Sequence, residues 1–234
     1  MTDHTATADA LLRRAPVVPV LAIGNIDDAV PLARALVAGG LPVLEVTLRT
    51  PCALDAIARI VREVPDAIVG AGTVLTARDM QAVRDADAAF AIAPGATDAL
   101  YAAGREVGIP FIPAIATASE LMRGMEQGHR VFKFFPAESA GGVGALKSFA
   151  GPFAQARFCP TGGIDAASAP RYLVLPNVLT VGGSWMVPAD ALASRDWSRI
   201  ESLAAGTYTW TAKSTLTAGT ELRTIGYRLV AYEL

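Results

Sequence analysis

The sequence predicts an α/β protein closed as a (β/α)8 (TIM) barrel, preceded by an N-terminal helix and followed by an atypical C-terminal tail. Three observations lead there. Eight short apolar segments recur about 20 to 25 residues apart, which suits alternating strands and helices. A helical pattern follows each, as right-handed βαβ units require. The turn after the first segment, AIGNIDD, lacks the glycine-rich phosphate fingerprint of an open doubly wound sheet. A chain of 234 residues fits one such barrel, expected over residues 1–205, with a threonine-rich tail over residues 206–234.

The segments are, in order, VPVLAI (18–23), PVLEVTL (42–48), AIVGAG (67–72), AAFAIA (88–93), IPFIPA (109–114), VFKFF (131–135), ARFCP (156–160) and VLTVGG (178–183). After the first, Asn25 is placed to cap a helix whose Ile26, Ala29, Val30, Ala33 and Val37 recur at helical spacing, and Gly39 and Gly40 end it. The other connecting helices follow the same pattern less cleanly. An uncharged run of 18 residues (172–189) contains Pro176, Asn177, Gly182, Gly183 and Pro188, so it reads as a strand with loops, not as a membrane span. After SRIESLAA starts an amphipathic helix, residues 206–234 carry seven threonines with aromatic alternation. That composition favours strands. It predicts a β-hairpin turning near Ala218 and Gly219, or a tail without settled structure.

Composition narrows the function. Hydrophobic residues make up 52% and the formal net charge is -2, so neither a nucleic-acid field nor a membrane-binding basic patch is indicated, and the partner expected is a small molecule. Cys52 and Cys159 match no zinc or redox spacing, and buried structural thiols in a reducing compartment are expected. The first 16 residues lack an apolar export core, so a cytoplasmic protein is expected.

The chemistry is suggested by one lysine. Only three of the 20 basic residues are lysines, and Lys133 sits among three phenylalanines, where an unpaired ammonium is costly. Side chains of a barrel strand alternate between the interior and the surrounding helices. Phe132 and Phe134 suit the helices, which turns Lys133 inward. The same alternation puts Val43, Glu45, Thr47 and Arg49 on one side of the second segment, so an acid, a guanidinium and a lysine converge.

Two readings are open for that lysine. One is a buried salt bridge to Glu45. The other is a Schiff-base nucleophile, whose amine must be uncharged, a state favoured by apolar burial and a neighbouring cation such as Arg49. In the second, Glu45 moves protons as the carbinolamine forms and the carbon-carbon bond breaks, while Arg49 offers either a bidentate grip for a substrate carboxylate or a plain salt bridge at the rim. No cofactor and no metal are called for: His4 and His129 are the only histidines, too few for a zinc lyase site or a Ser-His-Asp hydrolase. CPTGGID and VGGSWM follow the seventh and eighth segments, where barrels often hold phosphate, although paired glycines also serve as plain tight turns.

The strings LEVTLRT, VGAGTVL, FKFFPAE, AGPF, RFCPTGGI and GGSWMVP together closely resemble the 2-keto-3-deoxy-6-phosphogluconate (KDPG) aldolases over about residues 16–203. What this resemblance implies is a (β/α)8 barrel, usually a homotrimer, that cleaves the phosphorylated keto acid to pyruvate and glyceraldehyde 3-phosphate. Members often also act on 4-hydroxy-2-oxoglutarate. It implies Lys133 as the Schiff-base former and Glu45 as the general acid and base. Arg49 and Thr73 are implied as carboxylate binders, Phe135 as a wall and Thr161 beside the imine. Gly162, Gly163, Gly183 and Ser184 are implied at the phosphate end.

The chain departs from the family where PAIAT stands for PGIST, with Ala114 and Ala116 adding methyl groups beside the pocket. A 4-hydroxy-2-oxoglutarate or 2-keto-3-deoxy-6-phosphogalactonate aldolase therefore stays open, as does a catalytically impaired barrel serving as an assembly module.

Overall fold

A computed structural model describes residues 4–217. It is an α/β fold of parallel strands. Helix α1 (His4–Leu12) leads into β1 (Val17–Leu21), and helices α2 (Ala29–Ala38), α3 (Ala53–Glu63), α4 (Ala77–Asp85) and α5 (Asp98–Glu106) alternate with β2 (Val43–Thr47), β3 (Ile68–Gly72), β4 (Ala91–Ile92) and β5 (Phe111–Ile112). Then come β6 (Ala114–Ile115), α6 (Ala118–Glu126), β7 (Val131–Phe134), α7 (Gly142–Ala150), β8 (Arg157–Pro160), α8 (Ala169–Leu173), β9 (Val181–Gly183), α9 (Ala189–Ala193) and α10 (Trp197–Thr217).

The strands pair in two parallel sheets, ordered β5-β4-β3-β2-β1-β9 and β6-β7-β8. Pro113 alone separates β5 from β6. It has no N–H to give a ladder, yet its carbonyl accepts from Lys133 N at 2.9 Å. At the other seam, isolated bridges pair Phe158 with Val178 and Thr161 with Gly182. The sequence offered eight segments; the fifth is thus divided at its proline.

Strands buried on both faces read as near-continuous apolar runs, and β2 is such a strand, buried at all five positions. Two polar residues interrupt it, Glu45 and Thr47, at 1% and 2% exposure. Local signals start the helices. Asn25 accepts from Asp27 N and caps a short 3-10 turn (Ile26–Asp28) that runs into α2. Thr76 and Thr117 form reciprocal capping boxes with Asp79 and Glu120.

The C-terminal reading needs correction. The expected boundary at residues 205/206 falls inside α10, which continues to Thr217 where strand-forming residues predicted a hairpin arm. Its first turns are anchored on α2: Ile200 and Ala204 are buried, and Gly39 approaches so closely that a Cβ there would meet Ala204 Cβ at 2.5 Å. Once nucleated, a helix gains one hydrogen bond for each residue fixed, and this local gain outweighs the weak β preference of threonine. The predicted turn at Ala218 and Gly219, and the rest of the tail, lie outside the described residues.

His129 sits before β7 among Tyr101, Phe111 and Phe132, with ring centroids 5.4 to 6.4 Å away. Burial first, then the charges of Arg105 and Arg130, push its pKa from 6.5 down to about 4. The unfolded chain therefore takes up a proton that the folded chain refuses. The stability this neutral ring supports is complete above pH 6.5 and is lost as pH falls toward 4, an effect of up to about 3 kcal/mol. Urea melts of the parent and a His129→Gln variant are expected to show a smaller loss in the variant between pH 7 and pH 4.5.

Candidate active site

Strand β7 fixes the direction of Lys133 through its neighbours. Phe134 packs edge-on against Phe149 of α7 and Phe132 lies against Phe158, so both rings belong to the core between strands and helices. The residue between them points the other way. Lys133 Nζ donates to Glu45 Oε1 at 2.9 Å and lies 3.2 Å from Oε2. Both side chains are buried, at 7% and 1% exposure. The two residues come from different sheets: Glu45 pairs in register with Val20 and Gly70, and Lys133 with Ala114 and Cys159. The ring of Phe135 adds a wall 5.5 Å from Nζ.

Burying an ion pair rarely stabilises a protein relative to well-packed apolar residues. Its presence here is therefore better explained by chemistry. A proton can pass across 2.9 Å from the ammonium to the carboxylate, leaving an amine able to attack a carbonyl and an acid able to return the proton. Cys159 pairs with Lys133 in the strand register and is buried. Burial pushes its thiol up to about 12, a rise that the Glu45 charge adds to and the Lys133 charge opposes.

One neighbour makes room for the glutamate, and another ties down the end of its strand. Gly72 on β3 leaves the space it fills, since a Cβ there would stand 2.1 Å from Oε1. Thr47, one turn of the pleat further on, donates to Leu21 O at 2.8 Å and accepts from Arg49 Nε at 3.0 Å. Arg49 is thereby tied to the end of β2 while its guanidinium stays exposed. A Gly72→Ala variant is expected to swing Glu45 off the lysine and lower kcat by about a hundredfold or more, since general acid-base catalysis depends on hydrogen-bond reach. Steady-state kinetics beside a melting curve would check this, a folded variant with full kcat being the contrary result.

Thr73 follows Gly72 with φ 60, a left-handed conformation uncommon for a β-branched residue and usually kept at functional sites. Thr161, 6% exposed, directly follows β8 and lies against Gly182, where a Cβ would stand 2.2 Å from its hydroxyl. The bridge between these two residues sets the turn of Gly162 and Gly163, with φ 105 and 78, beside the end of β9, where Gly183 closes the strand and Ser184 follows it. Ser184 is exposed, and the Trp185 ring covers Gly183 while its Nε1 donates to Thr207 at 3.1 Å.

Gly72, Cys159 and Trp185 were not singled out for the site from sequence. Cys159 was within reach of strand alternation, standing two residues before Thr161. Gly72 depends on a contact between strands, and Trp185 on its bond to Thr207 of α10, neither of which a local pattern announces. Among the described residues there is no group of three or more His, Cys, Asp or Glu that could hold a metal ion. Likewise, no described helix is long and apolar enough to cross a membrane.

Comparison with known proteins adds independent findings. The family model described as KDPG and KHG aldolase matches residues 8–203. The KHG/KDPG aldolase of Escherichia coli K12 is 56% identical over 204 residues, covering 87% of this chain and 96% of that protein. Among solved structures, the KDPG aldolase of Legionella pneumophila, with pyruvate captured at low pH as a covalent carbinolamine intermediate, is 48% identical with a TM-score of 0.84, over 86% of this chain and 97% of that one. The Zymomonas mobilis enzyme with 3-phosphoglycerate is 50% identical, also at 0.84, over 88% and 97%.

Proposed function

We propose, from the premise that this chain belongs to the KDPG and KHG aldolase family, that it cleaves 2-keto-3-deoxy-6-phosphogluconate to pyruvate and glyceraldehyde 3-phosphate through a Schiff base on Lys133. The protein is an aldolase, a carbon-carbon lyase. The observation that carries the mechanism is the buried contact of 2.9 Å between Lys133 and Glu45.

In the proposed reaction Glu45 takes the proton of the Lys133 ammonium, and the amine lone pair attacks the C2 ketone. The new alkoxide takes a proton from the attached nitrogen to become the carbinolamine hydroxyl, and Glu45 returns its own proton as that hydroxyl leaves as water, giving an iminium. A base then removes the C4 hydroxyl proton; the C3–C4 pair flows into the iminium, and glyceraldehyde 3-phosphate departs with its new carbonyl. The enamine is protonated at C3 and water attacks the resulting iminium, releasing pyruvate and the free lysine. Glu45, within reach of Nζ, carries the protons at these steps. A preorganised cation at the carboxylate and donors at the phosphate bind the two charged ends.

Arg49 and Thr73 are assigned to the carboxylate, Phe135 to the wall and Thr161 to the imine. Gly162, Gly163, Gly183 and Ser184 are assigned to the phosphate. The positive φ of both glycines after β8 supports that last assignment, because such turns turn backbone N–H groups toward an anion. We further read the strands as a (β/α)8 barrel, with β5 and β6 as one strand broken at Pro113 and the seam between β8 and β9 closed by their bridges. A homotrimer acting in the cytoplasm completes the proposal, and light scattering tests its subunit count.

A second reading, aldol cleavage of 4-hydroxy-2-oxoglutarate, is favoured by the double name of the Escherichia coli relative. Pyruvate release on both substrates, coupled to lactate dehydrogenase, distinguishes the two. The expected result is a higher kcat/KM on the phosphorylated substrate. A preference for the unphosphorylated one would move the phosphate role away from the glycine turns.

A further inference from the structure

The segment leaving β7 is stitched to the segment leaving β8. Ala137 N donates to Thr161 O at 2.8 Å and Glu138 N to Gly162 O at 3.1 Å. The stitched turns leave no space: a Cβ on Gly162 would lie 3.2 Å from Pro136 Cα, and one on Gly163 would lie 2.9 Å from both Cβ and Cγ of Glu138. The aliphatic stem of Glu138 therefore rests directly on Gly163.

Beyond that stem, the Glu138 carboxylate accepts a short hydrogen bond from the hydroxyl of Tyr172 on α8. Tyr172 is wholly buried whereas Glu138 is exposed. The contact thus joins a surface acid to a buried phenol across 34 residues of chain. Nothing in the chemistry at Lys133 uses either group. A carboxylate near a phosphate turn also repels an incoming dianion, so its position needs another explanation.

We propose that Glu138, gripped by Tyr172, is a positioning residue that holds the Gly162 and Gly163 turn in its phosphate-receiving shape and so sets the preference for phosphorylated over unphosphorylated keto acids. This rests on the reading of those glycines as the phosphate end. Preorganised donors bind an anion without an ordering cost. Without the grip, the turn has to be ordered each time a phosphate arrives, while the lysine end is unaffected.

Tyr172→Phe is the cleaner variant, because it removes the donor and leaves a carboxylate that water can solvate. Glu138→Ala is the second, and Glu138→Gln keeps an acceptor for the phenol. For each, kcat and KM are measured on 2-keto-3-deoxy-6-phosphogluconate and on 4-hydroxy-2-oxoglutarate, together with inhibition by inorganic phosphate.

Expected for Tyr172→Phe and Glu138→Ala is a rise of roughly five- to tenfold in KM for the phosphorylated substrate and in the phosphate inhibition constant, the scale of one lost hydrogen bond. Kinetics on the unphosphorylated substrate should hold, and Glu138→Gln should restore most of the loss. Equal losses on both substrates, or none, would overturn the positioning role while leaving the phosphate assignment intact. If the parent shows no preference for the phosphorylated substrate and no inhibition by phosphate, the assignment of the glycine turns fails and this proposal fails with it.

Discussion

Lys133→Met is expected to remove turnover, by a factor on the order of 10⁵ or more, since no other group can form the covalent intermediate in its place. It should also destabilise the protein. Glu45 would be left buried at 1% exposure without its cation, and breaking one side of a buried pair costs about 3 to 5 kcal/mol. Pairing the change with Glu45→Leu separates the two effects. The double variant should regain most of the lost stability, since apolar residues of similar size replace such pairs at little or no cost, yet remain inactive. Urea denaturation with coupled pyruvate assays reads both quantities. A double variant as unstable as the sum of the single ones would show that the two groups are not coupled.

Glu45→Gln should leave the fold close to intact and lower kcat by about 10² to 10⁴, the range of a general acid-base group. The amide has nearly the volume of the carboxylate and can still accept from Lys133, but it cannot carry a proton away. Single-turnover experiments should show a slow covalent adduct with pyruvate, because the nucleophile remains. Full steady-state activity in this variant would assign proton transfer to a different group.

Much of the architecture was written in local patterns. The alternation of Phe132, Lys133 and Phe134 fixes which side chain leaves the core, and two aromatic rings are too large to exchange sides with the lysine without emptying the space under α7. The apolar run of β2 carries Glu45 and Thr47 as its exceptions, which makes both legible in the sequence. Pro113, by contrast, could be seen in the sequence without revealing that it divides a strand. That depends on which neighbour needs its missing N–H.

The C-terminal segment shows the limit of propensity. Threonine at positions 207, 209 and 211 favours strands, but the anchored turn around Ile200 and Ala204 has already met the cost of starting a helix. Contacts such as Gly72 under Glu45, or Glu138 against Tyr172, are set by the meeting of distant strands and loops. No spacing rule in one sequence could have offered them. The left-handed backbone of Thr73 was equally hidden, since threonine carries no local signal for it.

The account depends most on an amine that condenses with a ketone. Incubating the enzyme with pyruvate and sodium borohydride, then mapping the peptides by mass spectrometry, tests this directly. The expected result is a reduced pyruvyl adduct on the peptide containing Lys133, absent without pyruvate and absent from Lys133→Met. An adduct on Lys147 or Lys213 instead, or an active enzyme that borohydride and pyruvate do not inactivate, would contradict it.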